Sequence, residues 1–291
     1  MQTITNGKIS VSVDELGAEL KSIYSHEREM EYMWQPGYEI WDHSSLTLFP
    51  YPGRVCRDRI IFDGKVYPAT MHGFAKDCVF AVENKTESSM DLVLRANEFT
   101  RKYFPYAFCL RICFRLEGEK LTQEFRISCE DNKTMHFCIG AHPGFYLPLE
   151  LGESGNDYII RFDRPQNMNH LQLEKGTNLL TGEKKPFLQG ETDVQLSEDY
   201  FNNGSLLLDG VEADSVTLLS KKSGHYVKMG IKGFPYMCLW GNAARNYMIC
   251  IEPWCGTSDM ANHDHIWEHK LGIEHVDAGE EFVRALTFEV G

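Results

Sequence analysis

The sequence predicts an all-β protein built as a large sandwich or barrel. Three observations carry this. Apolar residues recur with a period of two rather than 3.6, turn signals separate a dozen or more short apolar runs, and no long amphipathic helical pattern interrupts them. A chain of this pattern buries one face of each strand against a second layer, and the two-layer solutions for strands are sandwiches and barrels.

The strands are justified in order. "ISVSV", Ile9 to Val13, alternates apolar and polar residues, and "DLVLRA" follows from Asp91. "FCLRICFRL" places Phe108, Leu110, Ile112, Phe114 and Leu116 on one face; "EGEK" then turns the chain into "LTQEFRISCE", its hairpin partner. Further runs are "MHFCIGAH", "YIIRFD", "SLLLDG", "SVTLLS", "YVKMGI", "YMCLWG", "YMICIEPW" and "VRALTFEV", punctuated by turns such as "FDGK", "LTGEKK" and "KSGH". The polar segment from Leu171 to Gly204 is the least strand-like and reads as an excursion over the sheet edge. "DRPQNMNH", around His170, reads as a polar surface loop. No repeat or low-complexity linker divides the chain, so one domain spanning 1–291 is expected.

Composition narrows the function. The chain has 291 residues, 43% hydrophobic and 24% charged, with a formal charge of −13. A pI near 5.3 argues against nucleic acid or an anionic membrane as partner, since both demand a basic surface. The nine cysteines include no C-x-x-C pair and are expected as free buried thiols in a reducing compartment. The opening residues lack the charged and apolar regions of a signal peptide, and no apolar run approaches the ~20 residues that span a bilayer. A cytoplasmic protein is expected, in which the Asn-x-Ser/Thr triplets at Asn84, Asn132 and Asn203 carry no glycan. Monomer and homodimer both remain open.

The densest metal-like cluster is "NHDHIWEH", with His263, His265 and His269 beside Asp264 and Glu268. A strand would align the first two histidines and a helix the last two, but no regular conformation aligns all three. A solvated loop is the expectation, and no metal or organic cofactor is assigned. There is no Gly-rich phosphate loop and no G-x-S-x-G elbow.

Three segments join a reactive residue to an apolar strand end. "FPYPGRVCRDR…MHGFAKD" offers Arg54 and His72, "GAHPGFYLPL" offers His142, and "YMICIEPWCGTSD" offers Glu252 beside Trp254. Singly, each has a plain structural explanation: an ordinary salt bridge for Arg54, a turn residue for His72, a core imidazole for His142, an edge-strand charge for Glu252. Together they supply a base, an acid and a cationic donor.

The order "FPYPGR", "MHGFAKD", "AHPGFYLPL", "LWGN", "ICIEPWCGTSD" resembles the aldose 1-epimerase (galactose mutarotase) superfamily, and more narrowly its LacX-like bacterial branch. The resemblance spans nearly the whole chain. It implies a large β-sandwich, the supersandwich of the galactose mutarotase type, with a pyranose on its concave face. It implies Glu252 as general base on the anomeric hydroxyl, His142 as proton donor to the ring oxygen and His72 as a second histidine near the reacting oxygens. Arg54 matches the sugar-contacting arginine, with Arg57 and Arg59 close by, and Trp240, Asn242 and Trp254 complete the sugar site. Two departures bear on the sugar. "CRD" stands where galactose mutarotases carry an Asn-Arg pair, and their downstream sugar-binding aspartate has no clear counterpart near "CLWGNA". An isomerase acting on a hexose is therefore expected. A hexose 6-phosphate mutarotase is the alternative, with Arg54, Arg57, Arg59 and Lys76 available for a phosphate, or a non-catalytic sugar-binding or regulatory protein.

Overall fold

The computed structural model of the chain describes residues 1–36, 40–197, 200–201, 204–241 and 248–291. Among these, helical structure is confined to five short 3₁₀ turns of three residues each, and strands make up the rest of the regular structure. The all-β expectation holds.

A small antiparallel sheet at the N-terminus contains Gln2–Thr5, Ile9–Asp14, Glu19–Ser25 and Met30–Glu31. The main sheet has 14 strands. From edge to edge it runs through Ser45–Leu48, Ile139–Tyr146, Met248–Cys255, Tyr236–Gly241, Leu206–Asp209, Tyr158–Leu173 and Ser215–Ser220. It continues through Tyr226–Gly230, Glu281–Val290, Lys120–Cys129, Phe108–Glu117 and Ser89–Arg95 to Ala81–Glu83. So long a twisted sheet folds over on itself. Its halves meet where Phe145 lies 6.4 Å from Phe288, Phe137 lies 5.0 Å from Phe282 and Phe49 lies 5.1 Å from Phe108, ring centre to ring centre. These contacts make the sandwich core.

The hairpin read from its alternation forms as expected, with Phe108 opposite Cys129 and Glu117 opposite Lys120. Phe108, Leu110, Ile112 and Phe114 are fully buried, each worth about 1.5–3 kcal/mol of transfer free energy. The opposite face is covered by ion pairs, Arg111 with Glu83 at 2.9 Å and Arg115 with Asp91 at 2.5 Å. All nine cysteines are free and buried.

Two expectations are corrected. "DRPQNMNH" is not a loop but the centre of the strand Tyr158–Leu173, and much of the polar segment after it is the strand Leu180–Gln195, paired antiparallel with it. Their pairing is interrupted by register shifts and most of the second strand faces solvent. A strand exposed on both faces has no apolar alternation to betray it.

Candidate active site

His142 and Glu252 lie on neighbouring antiparallel strands, both in mid-strand rather than at the strand ends their sequence context suggested. Gly140 pairs with Trp254 and Gly144 with Cys250, a register that sets His142 opposite Glu252; the ladder lapses between these pairs, where Pro143 offers no N–H. The same row continues on both sides. Leu46 lies opposite His142, Cys238 opposite Glu252, Leu207 opposite Cys238 and Leu171 opposite Leu207. One line of side chains thus crosses six strands, with His142 and Glu252 facing each other inside it. His142 Nε2 is 3.3 Å from Glu252 Oε1.

The glycines of "GAHPGF" make room for aromatic walls. A Cβ on Gly140 would lie 2.8 Å from Trp254 Cδ1, and one on Gly144 would lie 3.0 Å from Trp41 Cζ3. Trp41 stacks on His142 with ring centres 4.7 Å apart, and Trp240 meets both rings edge-on at 5.9 Å. The resulting cavity is about 400 Å³, of ligand-pocket size, and is lined by His142, Glu252, His72, Arg54 and the indoles of Trp41, Trp240 and Trp254.

His72 is built in from the backbone. It takes a left-handed conformation, φ 64°, and its N–H donates to Gly53 O at 2.8 Å while its Nδ1 accepts from Gly53 N–H at 3.0 Å. The neutral ring therefore carries its proton on Nε2, as a donor. Gly73, φ 70°, is required next to it: a Cβ there would stand 2.2 Å from Phe49 O. Arg54 is positioned from the far end of the chain. Its N–H donates to Ser258 Oγ at 3.1 Å, and its carbonyl accepts from Asp259 N–H at 2.8 Å. Asp259 in turn accepts from Cys56 N–H at 3.0 Å and pairs with Lys270 at 2.6 Å, both side chains almost wholly buried.

Burial sets the electrostatics. It drives the Glu252 carboxyl well above its ordinary range, against the weaker pull of Cys238 and Trp254, and drives the His142 imidazole well below its own, helped by His72. His72 is pushed down to about 3 by burial and by Lys76 and Arg54. Burial therefore favours the uncharged form of each partner, a protonated carboxyl and a neutral imidazole, across a gap of 3.3 Å.

The aldose 1-epimerase family model matches residues 1–274. The chain belongs to the aldose 1-epimerase family. Protein LacX of Lactococcus lactis subsp. lactis is 31% identical over 280 residues, covering 94% of this chain and 93% of that one. A galactose mutarotase related enzyme from Lactobacillus acidophilus superposes with a TM-score of 0.94 at 31% identity, covering 100% of this chain and 97% of that one. A galactose mutarotase-like protein from Lactobacillus casei ATCC 334 gives 0.92 at 28%, covering all of both. The β-sandwich expected from the resemblance is the fold observed.

Of the residues expected for a family sugar site, His142, Glu252, His72, Arg54, Trp240 and Trp254 are brought to one cavity, and Asn242 lies outside the described residues. Arg57 and Arg59 are not brought in. A 3₁₀ turn occupies Cys56–Asp58, with Arg57 at φ 55° and exposed, and Arg59, which opens the strand Arg59–Phe62, is turned to His265 at 3.3 Å. The "NHDHIWEH" histidines also differ from expectation: His265 is buried and the His263 side chain nearly so, whereas His269 is exposed beside Asp264. Their nearest side-chain partners differ: Arg59 for His265, Asp259 for His263 and Asp264 for His269. Sequence reasoning missed Trp41, Asn178, Ser205 and Ser258, all of which line the cavity. Two tryptophans within eight residues, Trp34 and Trp41, were the available signal for the first.

Proposed function

We propose that this chain interconverts the α and β anomers of a free aldohexose by acid–base opening of the hemiacetal ring. The observation that carries the proposal is the His142–Glu252 pair, 3.3 Å apart in a cavity walled by three tryptophans. The two oxygens of a hemiacetal share one carbon, so the group that takes a proton from the anomeric hydroxyl and the group that gives one to the ring oxygen must be close neighbours. Ionised Glu252 takes the hydroxyl proton as protonated His142 delivers one to the ring oxygen, and the C1–O5 bond breaks to leave an aldehyde and a free hydroxyl. The pair is then in its neutral form. Rotation about C1–C2 presents the other carbonyl face, and the same transfers in reverse close the ring. The pair holds one proton throughout, and each partner contributes on the order of 10²–10⁴-fold. His72, fixed with its proton on Nε2, donates a hydrogen bond to the reacting oxygens. The indoles stack on the apolar faces of the ring, and no step calls for a metal or an organic cofactor.

A neutral sugar is the substrate class. Arg54 is the only Lys or Arg lining the cavity among the described residues, and it faces Asp58 at 3.6 Å, which leaves a phosphate no cluster to bind. The experiment is polarimetry of anomer equilibration over a panel of free and phosphorylated aldoses. Acceleration of at least one free hexose is expected. Tight sugar binding without acceleration would make the chain a binding protein and overturn the proposal.

A further inference from the structure

Beneath the acid–base pair lies a thiol that ring opening does not use. Cys250 stands two residues before Glu252 on the same strand, so both side chains project from one face of the sheet. Its Sγ lies under Gly144, 3.3 Å from where a Cβ would be, and the residue is fully buried. One ligand atom each from His142, Cys250 and Glu252 lies within 4.8 Å of the others. We propose that these three side chains form a binding site for a thiophilic divalent cation, zinc or cadmium, and that an occupied site shuts down the sugar chemistry.

The donor set fits the ion. Zinc takes imidazole nitrogen, thiolate sulfur and carboxylate oxygen in tetrahedral sites. Ligands held at about 2.0–2.1 Å from a tetrahedral ion stand a little over 3 Å from one another, and His142 Nε2 and Glu252 Oε1 are already 3.3 Å apart. Glu252 Oε2 is buried and has only the weak pull of Cys238 and Trp254 to hold it, which leaves it available to a cation. The three ligands sit on two adjacent strands of the main sheet, which fixes their backbone spacing. The cavity over His142 and Glu252 supplies the entry path and room for a water as fourth ligand. On binding, the thiol proton and the one proton held by His142 and Glu252 both leave to buffer, and the cation takes their place. A cation there holds both members of the pair by the atoms that must exchange protons with the sugar, so binding and turnover exclude each other.

The inference rests on the proposed function only for its activity readout, and metal binding is measured independently. Cadmium is titrated into the reduced, chelator-treated protein while the ultraviolet charge-transfer band of a cadmium–thiolate bond is followed. Zinc is titrated into the anomer-equilibration assay. One equivalent of cadmium is expected to produce the band. Zinc is expected to abolish most of the rate, competitively with sugar and reversibly on adding chelator. Cys250→Ser is expected to keep turnover, lose the band and need a zinc concentration shifted by more than the ~10–100-fold that outer-shell changes cost. Should that variant fail to fold, displacement of the band by saturating sugar in the native protein tests the same geometry. Absence of the band, a band that sugar does not displace, or a folded Cys250→Ser with unchanged zinc sensitivity overturns the site. If no sugar is turned over, the proposed function fails, while the cadmium titration still decides the metal site.

Discussion

Gly140 and Trp254 face each other across adjacent strands so closely that a single added carbon on Gly140 would lie 2.8 Å from the indole Cδ1. This glycine, two residues before His142, leaves the room that the indole fills. Gly140→Ala is expected to displace the indole, destabilise the protein by about 1–3 kcal/mol as overpacking does, and raise KM more than it lowers kcat. Thermal unfolding and steady-state kinetics check this. An unchanged KM would mean that Trp254 does not hold the sugar.

The buried Asp259–Lys270 pair holds the loop that carries Arg54. Lys270→Met leaves buried Asp259 with only Cys56 N–H and the His263 ring beside it, and is expected to cost about 3–5 kcal/mol in denaturant unfolding. A loss under about 1 kcal/mol would show that Cys56 N–H and His263 satisfy the carboxylate without the lysine.

Substrate charge gives a third prediction. The kcat/KM for free glucose or galactose is expected to exceed that for glucose 6-phosphate. Arg54→Ala is expected to lower it by roughly 10–100-fold, the worth of a hydrogen bond to a charged group. Arg57→Ala and Arg59→Ala leave it unchanged, because both side chains lie outside the cavity. A preference for the phosphate that weakens with salt and disappears in either of those variants contradicts the cavity assignment.

Acid stability follows from His72. In the unfolded chain it binds a proton below about 6.5, whereas in the folded protein it stays neutral down to about 3. The unfolded state therefore holds more protons between those values. Stability from neutral His72 is complete above about 6.5 and is lost as pH falls toward 3. His72→Gln removes that dependence. Between pH 7 and 5 the variant is expected to lose about 1–2 kcal/mol less than the native protein in urea unfolding. Parallel losses would place His72 in contact with water.

Most of the site was legible because its chemistry sits on apolar strands, where a His or Glu stands out against its neighbours. His142, Glu252 and the Phe108–Leu116 alternation are of this kind. Trp41 was not legible: it lies outside the strands, and the gap at Gly144 and the rings of His142 and Trp240 that position it come together only in the fold. The strand Leu180–Gln195 was invisible because exposure on both faces removes the period-two signal, and with it went the neighbouring Leu173 and Asn178, which line the cavity. The burial of His263 and His265 was equally hidden, since their neighbours Asp259 and Arg59 converge only in the fold. Arg54 was legible, but the outward turn of Arg57 and Arg59 was not, for a local reason: Arg57 and Asp58 adopt left-handed φ angles of 55° and 49°.

The account stands on proton exchange through His142 and Glu252, and magnetisation exchange between the α and β anomeric protons of a free hexose, followed by NMR, measures it directly. The native protein is expected to accelerate exchange with a bell-shaped pH dependence, falling on the acid side when the pair takes a second proton and on the alkaline side when it loses its only one. Glu252→Gln, which keeps shape and hydrogen bonding but cannot accept the hydroxyl proton, is expected to bind sugar nearly as well and exchange it roughly 10²–10⁴-fold more slowly. A Glu252→Gln protein that exchanges anomers at close to the native rate contradicts the central claim.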